Sequence, residues 1–425
     1  MIAAAFTLAL ALVGGIPVAF AVGLASLVFF WISGANFIVY PQQVIGQISG
    51  LPLIAIPFFI LAGELMNTGG ITSRIFGFAL AVVGRIPGAL GHANVLASMI
   101  FAGMSGSAVA DVAGLGRLEI KAMRESHYPD DLSVGLTVSS ATLGPIIPPS
   151  INMVIYGSIA GVPVGLLFMG GVLPGVLAGI ALMITFAVLY RRRGVVAPVI
   201  VQVSLWRAFR SAFWALMTPI VLLGALFSGY ATPTEAAVLA SIYAALVSVL
   251  VYREIRPAQL LQALTTTAVL SGSILLIIGL SAPLGYIIAR QQIAAQLAEI
   301  LFAVSAEPFV LLAIVTLVLL VAGTFLEVSA AIIILTPVLV PPLVAAGVDP
   351  VFLGVFIVYG LGIGLITPPM GMCLFVGCQV SGLGFEQVVR AAALFLVPLV
   401  AILILMMAWP GLVTLVPSLT YSASS

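Results

Sequence analysis

Two hydroxyl side chains flank a glycine in the segment FAGMSGSAVAD, which begins at Phe101. Ser105 and Ser107 lie two residues apart, and Gly103 and Gly106 leave the neighbouring backbone open to close approach. Hydroxyl and carbonyl oxygens are the ligands that hard cations prefer. The spacing therefore predicts a tip between two helices that offers oxygen ligands to a cation. The simpler alternative is that these small residues only pack a close contact between helices.

Two proline pairs interrupt apolar runs elsewhere in the chain. GPIIPP extends from Gly144 to Pro149, and GLITPP extends from Gly364 to Pro369. Each proline removes a backbone N–H and frees a carbonyl from the helical ladder. In hydrocarbon, such a carbonyl must be buried in protein or line a polar cavity. A plain proline kink explains either site alone, but the matched pair favours two unwound helix centres whose carbonyls coordinate a cation.

These landmarks belong to an internal repeat. Gly103 precedes Pro148 by 45 residues, and Gly323 precedes Pro368 by the same distance, at an offset of 220. The repeat predicts two units, with scaffold and transport subdomains interleaved along both. Residues 1–210 would form the first unit together with a cytoplasmic connecting arm that includes Trp206–Arg210, and residues 211–425 would form the second.

The composition defines the environment of this repeat. The 425 residues are 63% hydrophobic and only 6% charged, whereas soluble domains carry about 25% charged residues. Apolar runs of about 20 residues predict an all-α polytopic membrane protein with roughly ten to twelve crossings. The net charge of +1 gives no nucleic-acid footprint. The chain also has no P-loop motif for ATP hydrolysis.

The basic residues predict the orientation of the helices. Arg191, Arg192 and Arg193 follow a long apolar run, and the positive-inside rule places that junction in the cytoplasm. A consistent model leaves only Arg290 of the 14 basic residues outside. The first predicted hairpin then enters from inside and the second from outside, so the repeats are inverted. Inverted repeats with broken helices are typical of secondary transporters.

The motifs also resemble a known family. FAGMSGSAVADVAGLG at 101–116, GYATPTEAAVLAS at 229–241, GLITPPMGMCLFV at 364–376 and IPFFILAGELMNTGGI at 56–71 are similar to the large, DctM-type membrane subunit of TRAP (tripartite ATP-independent periplasmic) transporters. The resemblance implies a Na⁺-driven importer of organic acids such as C4-dicarboxylates or sialic acid, and no enzyme. It also implies an elevator-type fold with two re-entrant hairpins and two broken helices.

The resemblance implies partners and a location as well. The expected partners are a small four-helix membrane subunit of the DctQ type, a periplasmic substrate-binding protein of the DctP type, the carboxylate substrate and the lipid bilayer. The expected location is the bacterial inner membrane, which the chain would cross many times. No cofactor is expected, and Na⁺ would be the coupling ion.

The resemblance and the repeat together give candidate site residues. For the first sodium site these are Ser105, Ser107, Gly144, Ile147 and Pro149. For the second, by repeat symmetry, they are Gly323, Thr324, Gly364, Thr367 and Pro369. For the substrate they are Asn152, Ser105 and Glu327. A threonine and a phenylalanine replace the serine pair at the second tip, so the two sodium sites are expected to differ.

Two other functions remain open from the residues. A stand-alone Na⁺/dicarboxylate symporter of the same architecture would need no binding protein. An intramembrane serine protease would use the G-x-S-G sequence from Gly103 to Gly106 and a histidine as general base. The chain has two histidines, His92 and His127, and both are predicted to lie outside the membrane core, at interfacial positions.

The predicted orientation can be tested with single cysteines. In a chain in which Cys373 and Cys378 are replaced by alanine, we expect His127→Cys to react with an impermeant thiol reagent only from the cytoplasmic face. Gly347→Cys should react only from the opposite face, because its loop carries no basic residue. Labelling of intact and of inverted membrane vesicles provides the measurement. Reaction of both cysteines from the same face would contradict the inverted repeat.

Overall fold

The computed structural model describes residues 2–195, 204–305 and 307–422, and within these ranges the chain forms helices and turns without any strand. The helices are α1 (Ile2–Val13), α2 (Val18–Ser33), α3 (Val39–Ile48), α4 (Ala55–Thr68), α5 (Ile71–Val83), α6 (Ala89–Ser105), α7 (Ala108–Ala113), α8 (Leu115–Glu125), α9 (Asp130–Ser140), α10 (Ile151–Ala160), α11 (Val164–Arg192), α12 (Leu205–Phe227), α13 (Pro233–Leu246), α14 (Pro257–Arg290), α15 (Ile293–Val304), α16 (Pro308–Phe325), α17 (Val328–Ala345), α18 (Pro350–Gly364), α19 (Met372–Ser381), α20 (Phe385–Ala408) and α21 (Gly411–Ser422). A short 3₁₀ segment at Leu51–Ile54 precedes α4, and another at Ala141–Leu143 follows α9. A π segment at Val247–Val251 extends α13.

Eight helical segments of the described ranges are long and apolar enough to cross a membrane. They are Leu51–Thr68, Val164–Arg192, Leu205–Phe227, Pro233–Val251, Pro257–Arg290, Pro308–Phe325, Val328–Ala345 and Phe385–Ala408. Other apolar helices have only 10–17 residues, because glycines and prolines divide the runs that the sequence predicted as single crossings. The prediction of an all-α, multi-pass membrane protein is confirmed.

The predicted connecting arm is described only in part. Residues 196–203 lie outside the described ranges, and Trp206–Arg210 form the first turns of α12 and not a separate element. α12 then continues without interruption to Phe227. The basic residues of this segment therefore belong to the start of a crossing helix.

The helices pack around two centres. In the first group, α13 packs on α4 and α12, while the long helix α14 packs on α2, α3 and α4. In the second group, α20 packs along α9, α16 packs on α18, and α10 packs on α17. The helix α14 also contacts α17. The polar residues discussed below lie where these two groups meet.

The helices of the second group approach each other very closely. The hydroxyl of Tyr156 on α10 donates a hydrogen bond of 2.8 Å to the carbonyl of Pro350 at the start of α18. Its ring lies against Gly354, where a Cβ atom would come within 2.4 Å of the ring. A side chain at position 354 would therefore displace the tyrosine. This contact joins helices that are 194 residues apart in the chain.

A buried polar network joins α6 to α9. The amide of Asn94 donates to the hydroxyl of Thr137 at 2.6 Å and accepts from the hydroxyl of Ser140 at 2.8 Å. Ser98 donates to Ser140 at 3.2 Å. Because buried polar groups are costly unless they are paired, this network fixes the register of α6 against α9. It thereby sets the position of the loop that follows α6.

The packing of α9 on α20 generates a stability prediction. A Cβ atom at Gly135 would lie 2.4 Å from the carbonyl oxygen of Ala391 on α20. We therefore expect Gly135→Ala to lower the free energy of unfolding by about 1–3 kcal/mol, as overpacked cores do. The matched control is Gly272→Ala on α14, where a Cβ atom has no neighbour within 4 Å. Thermal unfolding of the purified proteins in detergent measures both, and equal melting temperatures would refute the close packing of α9 on α20.

Candidate functional site

The first predicted tip is a turn between two helices. Gly106 ends α6 in the left-handed conformation, with φ of 60°, which a glycine adopts without steric cost. Ser107 is the N-cap of α7, and its hydroxyl accepts a hydrogen bond of 3.4 Å from the backbone N–H of Ala110. The chain therefore reverses locally where the sequence predicted a tip. The structure alone does not assign the tip a depth in the membrane.

The first predicted broken helix is also present. α9 and its short 3₁₀ extension end at Leu143, and α10 begins at Ile151. Ser150 spans the break, because its hydroxyl donates to the carbonyl of Pro145 and accepts from the backbone N–H of Met153 at 3.3 Å. The serine thus satisfies backbone groups on both sides of the interruption.

The tip and the break touch each other through backbone atoms. A Cβ atom at Gly106 would lie 3.1 Å from the carbonyl oxygen of Pro149, and one at Gly144 would lie 3.2 Å from the carbonyl carbon of Ser107. Similarly, a Cβ atom at Gly103 would lie 3.2 Å from the carbonyl oxygen of Pro148. The structure therefore brings together three of the predicted residues, Ser107, Gly144 and Pro149. Their hydroxyl and carbonyl oxygens suit a hard cation.

The other two residues predicted for the first sodium site, Ser105 and Ile147, add no side-chain ligand that the structure describes. Ser105 is the last residue of α6, and its side chain lies outside the described part of the structure. Ile147 turns its side chain to α11, where a Cβ atom at Gly175 would come within 2.5 Å of it. Only the backbone of Ile147 could therefore reach a cation at the tip.

The second tip and the second break are joined by a close backbone contact and by a hydrogen bond. Gly323 on α16 and Gly364 on α18 are in backbone contact, since a Cβ atom at Gly364 would lie 2.5 Å from the Cα of Gly323. The carbonyl of Thr324 accepts a hydrogen bond of 2.9 Å from the N–H of Gly371. The hydroxyl of Thr324 donates within its own helix, to Val321 at 2.8 Å.

The remaining residues of the second group lie nearer the surface. Thr367 is half-buried and donates to the carbonyl of Ile363 at 2.9 Å, while Pro369 is exposed. At the first break the equivalent Pro149 is buried. The two groups therefore differ in burial. In the second group, Gly323 and Gly364 serve chiefly as a close contact between helices.

A cavity of about 360 Å³ lies beside the first tip and break. Elements of both groups of helices contribute to its walls. Its polar lining consists of Glu64, Asn67, Ser107, Asn152, Ser273, Glu327 and Ser329. All of the lining residues belong to the described ranges, and none of them is Lys or Arg. The predicted substrate residues Asn152 and Glu327 both line this cavity.

Ser329 connects these two predicted residues. Its hydroxyl donates to Asn152 Oδ1 at 2.9 Å and lies 3.1 Å from Glu327 Oε1. Glu327 is the N-cap of α17, and its Oε2 accepts hydrogen bonds from the N–H groups of Ser329 at 2.8 Å and Ala330 at 3.2 Å. The carboxylate of Glu327 therefore fixes the start of α17 as well as lining the cavity.

Sequence reasoning missed Ser329 and Asn67, and it did not place Glu64 at this cavity. The signal for Ser329 was its position two residues after an acidic N-cap, where a short side chain can share the carboxylate. Asn67 contacts the first hairpin, because a Cβ atom at Gly114 would lie 3.0 Å from its amide. Nothing in the sequence around residues 64–67 marks this contact, because it depends on how α4 crosses the hairpin.

Two further carboxylates are buried behind the first tip. Asp111 is 1% exposed and Glu119 is fully buried. Neither carboxylate has a hydrogen-bond donor at normal geometry among the described residues. Neither lines the cavity.

The geometry excludes His92 as the general base of a protease. His92 lies near the start of α6 and Ser105 is its last residue, so about 20 Å of helix separates them. His92 is buried within the protein, and its interfacial position in the membrane stays a prediction. It is only 6% exposed, and its ring packs edge-on against Phe186, with 5.5 Å between ring centres, because α11 covers this end of α6. His127 is exposed and follows α8, at the far end of the same hairpin.

Comparisons with known proteins agree on one family. The family model described as the DctM component of the tripartite ATP-independent periplasmic transporters matches residues 5–412. The large permease protein SiaM of a Vibrio cholerae sialic acid TRAP transporter is 42% identical, over 96% of each chain. The large permease protein DctM of a Pseudomonas aeruginosa C4-dicarboxylate TRAP transporter is 39% identical, over 86% of each chain.

A solved structure is similar in fold. The crystal structure of the YdaH transporter of Alcanivorax borkumensis superimposes with a TM-score of 0.64, over 87% of each chain. The sequences are only 16% identical, so this likeness concerns the arrangement of helices alone. It is consistent with a transporter-type helical fold.

Glu327 is both the N-cap of α17 and a lining residue of the cavity, and an experiment can separate its effect on stability from its effect on transport. We expect Glu327→Ala to lower the free energy of unfolding by about 0.5–2 kcal/mol, because it removes an N-cap. It should also abolish uptake, because it alters the cavity. Asp349→Ala is the matched control, since Asp349 caps α18 by accepting from the N–H of Phe352 at 2.9 Å and does not line the cavity.

Thermal unfolding and vesicle uptake should be measured on both variants. A similar loss of stability in both variants, with uptake lost only in Glu327→Ala, is the expected result. If uptake fell equally in the two variants, Glu327 would act only as a helix cap.

Proposed function

The chain belongs to the DctM component family of the tripartite ATP-independent periplasmic transporters. We propose that it transports an organic acid across the bacterial inner membrane and that a sodium gradient drives this transport. The observation that carries the proposal is the convergence of two helix starts on the cavity. Ile151 and Asn152 are the first residues of α10, and Val328 and Ser329 are the first residues of α17. All four residues line the cavity.

This arrangement suits an anion. A helix N-terminus carries partial positive charge and unsatisfied N–H groups, and it binds carboxylates without a basic side chain. The cavity has no Lys or Arg in its walls. The Glu327 carboxylate already accepts from the first N–H groups of α17, so the start of α10 is the main source of positive potential that the chain itself supplies. Its volume of about 360 Å³ lies within the range of small-molecule sites, about 300–1,000 Å³. We therefore infer a carboxylate substrate with hydroxyl or amide groups.

Sodium would supply the missing positive charge. Ser107, Gly144 and Pro149 meet directly beside the cavity. We propose that Ser105 and the backbone of Ile147 complete the first site. A cation held there would neutralise part of the substrate's charge and so favour its binding. Gly323, Thr324, Gly364, Thr367 and Pro369 form the proposed second site, whose backbone is more fully used in hydrogen bonds.

We propose that transport follows an elevator mechanism. Residues 1–210 and 211–425 would be inverted repeats, and several landmarks support this: α6 and α16 end, and α9 and α18 begin, at an offset of 220. The two hairpins would enter the membrane from opposite sides and move together past the helices that surround α13 and α14. The proposed partners are a small membrane subunit and a periplasmic binding protein, in keeping with the relatives' description as large permeases.

The sodium requirement is tested in vesicles that contain this chain, a small membrane subunit and a loaded binding protein. Sialic acid and succinate are the probes, because relatives carry sialic acid or C4-dicarboxylate in their names. We expect uptake to require an inward sodium gradient and to be independent of ATP. Uptake that persisted without sodium under an imposed proton gradient would overturn the coupling. Uptake by this chain alone would favour the stand-alone symporter.

The position of the first sodium site is tested in the same assay. We expect Ser105→Ala combined with Ser107→Ala to raise the sodium concentration for half-maximal uptake several-fold, because two oxygen ligands are removed. Thr232→Ala is the control, since it removes an N-cap hydroxyl that accepts from the N–H of Glu235 at 3.3 Å on α13, far along the chain from both tips. An unchanged sodium dependence in the double variant would refute this site.

A further inference from the structure

A second cavity of about 340 Å³ lies along the same helices as the first. Both cavities are lined by α10, α14 and α17, and the second also by α3. On α14, Ser273 lines the first cavity and Ser281 the second. Eight residues of helix separate them, which corresponds to about 12 Å. The two cavities therefore follow each other along one side of α14.

The second cavity is polar but uncharged. Gln43 and Gln47 lie one turn apart on α3 and both line it. Ser281 and Thr336 line it with hydroxyls that are buried and have no hydrogen-bond partner among the described residues. Buried hydroxyls without partners are costly, so these groups are well placed to bind a ligand that carries hydroxyls of its own.

A basic residue lies one turn beyond the lining of this cavity. Tyr286 lines it, and Arg290 Nη1 donates a hydrogen bond of 3.4 Å to the Tyr286 hydroxyl. The ring of Tyr286 stacks on Phe30 of α2, with 5.9 Å between ring centres, which holds it in place. Arg290 is exposed and forms no ion pair with any residue of the described ranges. Its charge is therefore free to attract an anion.

We propose that this second cavity is an entry site for hydroxylated organic anions. Arg290 attracts the carboxylate at the mouth, and Gln43, Gln47, Ser281 and Thr336 bind the hydroxyl groups. The proposal deepens the proposed function, on which it rests for the role of the anion as a substrate. The site lies next to the first cavity along α14, so an anion bound there is already beside the path that it must follow.

The test uses two glycines of α14 that differ only in their surroundings. Gly285 lines the second cavity and Gly272 lines neither cavity, and a Cβ atom at either has no neighbour within 4 Å. Gly272 is exposed near the middle of this membrane-spanning helix, where lipid would surround it and keep a water-soluble reagent away. In a chain in which Cys373 and Cys378 are replaced by alanine, we expect Gly285→Cys to react with a small impermeant thiol reagent, and Gly272→Cys to stay unreactive. Ala282→Cys, which also lines the cavity, is the second variant.

The role of the charge is measured with two reagents of opposite sign. At low ionic strength, we expect a sulfonate-bearing reagent to label Gly285→Cys several-fold faster than an ammonium-bearing one. Arg290→Gln should remove this preference, and Arg290→Lys should retain it. Added salt should also reduce the preference, because the Debye length falls to about 8 Å at physiological ionic strength.

The role of the hydroxyl groups is measured by protection with two six-carbon acids. Gluconate at millimolar concentration should slow the labelling of Gly285→Cys several-fold, whereas hexanoate, which lacks hydroxyls, should not. Equal labelling at Gly285→Cys and Gly272→Cys, a preference that survives Arg290→Gln, or equal protection by both acids would each overturn the proposal. None of these readouts requires transport, so absence of sodium-driven uptake would refute the proposed function separately.

Discussion

Helices that stop inside an apolar protein leave backbone N–H and C=O groups without partners, and this constraint governs the structure around the candidate site. At the first break, the hydroxyl of Ser150 satisfies groups on both sides of the interruption. At the second break, no serine is available, and the carbonyl of Thr324 accepts from Gly371 instead. The backbone groups at each break therefore need nearby residues that supply hydrogen bonds. That requirement draws the hairpin tips onto the broken helices.

The same constraint makes the two halves unequal. At the first break, Ser150 bonds to backbone groups on both sides, and the carbonyl oxygens of Pro148 and Pro149 lie close to Gly103 and Gly106 of the tip. The second tip is bound to its break by the hydrogen bond from the N–H of Gly371 to the carbonyl of Thr324 and by the backbone contact of Gly323 with Gly364. The two tips thus meet their breaks through different contacts, although the sequence landmarks of the two halves coincide.

The sequence predicted the membrane class, the family, the two interruptions and the two tips, because proline pairs and glycine–serine tips change the backbone wherever they occur. It did not predict the partners across helices. Ser329 meets Asn152 across 177 residues of chain, and Asn67 reaches Gly114 only because α4 crosses the hairpin. The contact of His92 with Phe186 of α11 was likewise not predicted. Such contacts depend on crossing angles that no local pattern contains.

The charge of the cavity gives a physical reason for the proposed sodium coupling. Glu327 places a carboxylate at the wall, where it is held by two N–H groups of α17 and by Ser329. Glu64 adds a second acidic side chain, and no basic one lines the cavity. Helix starts contribute only about half an elementary charge each, which cannot balance two carboxylates and an anionic substrate together. A cation beside Ser107 would reduce this excess, so substrate binding and sodium binding would each favour the other. The coupling of sodium binding to substrate binding would then follow from the electrostatics of the cavity itself. The different contacts of the two tips would decide which of the two proposed sodium sites affects substrate binding more strongly.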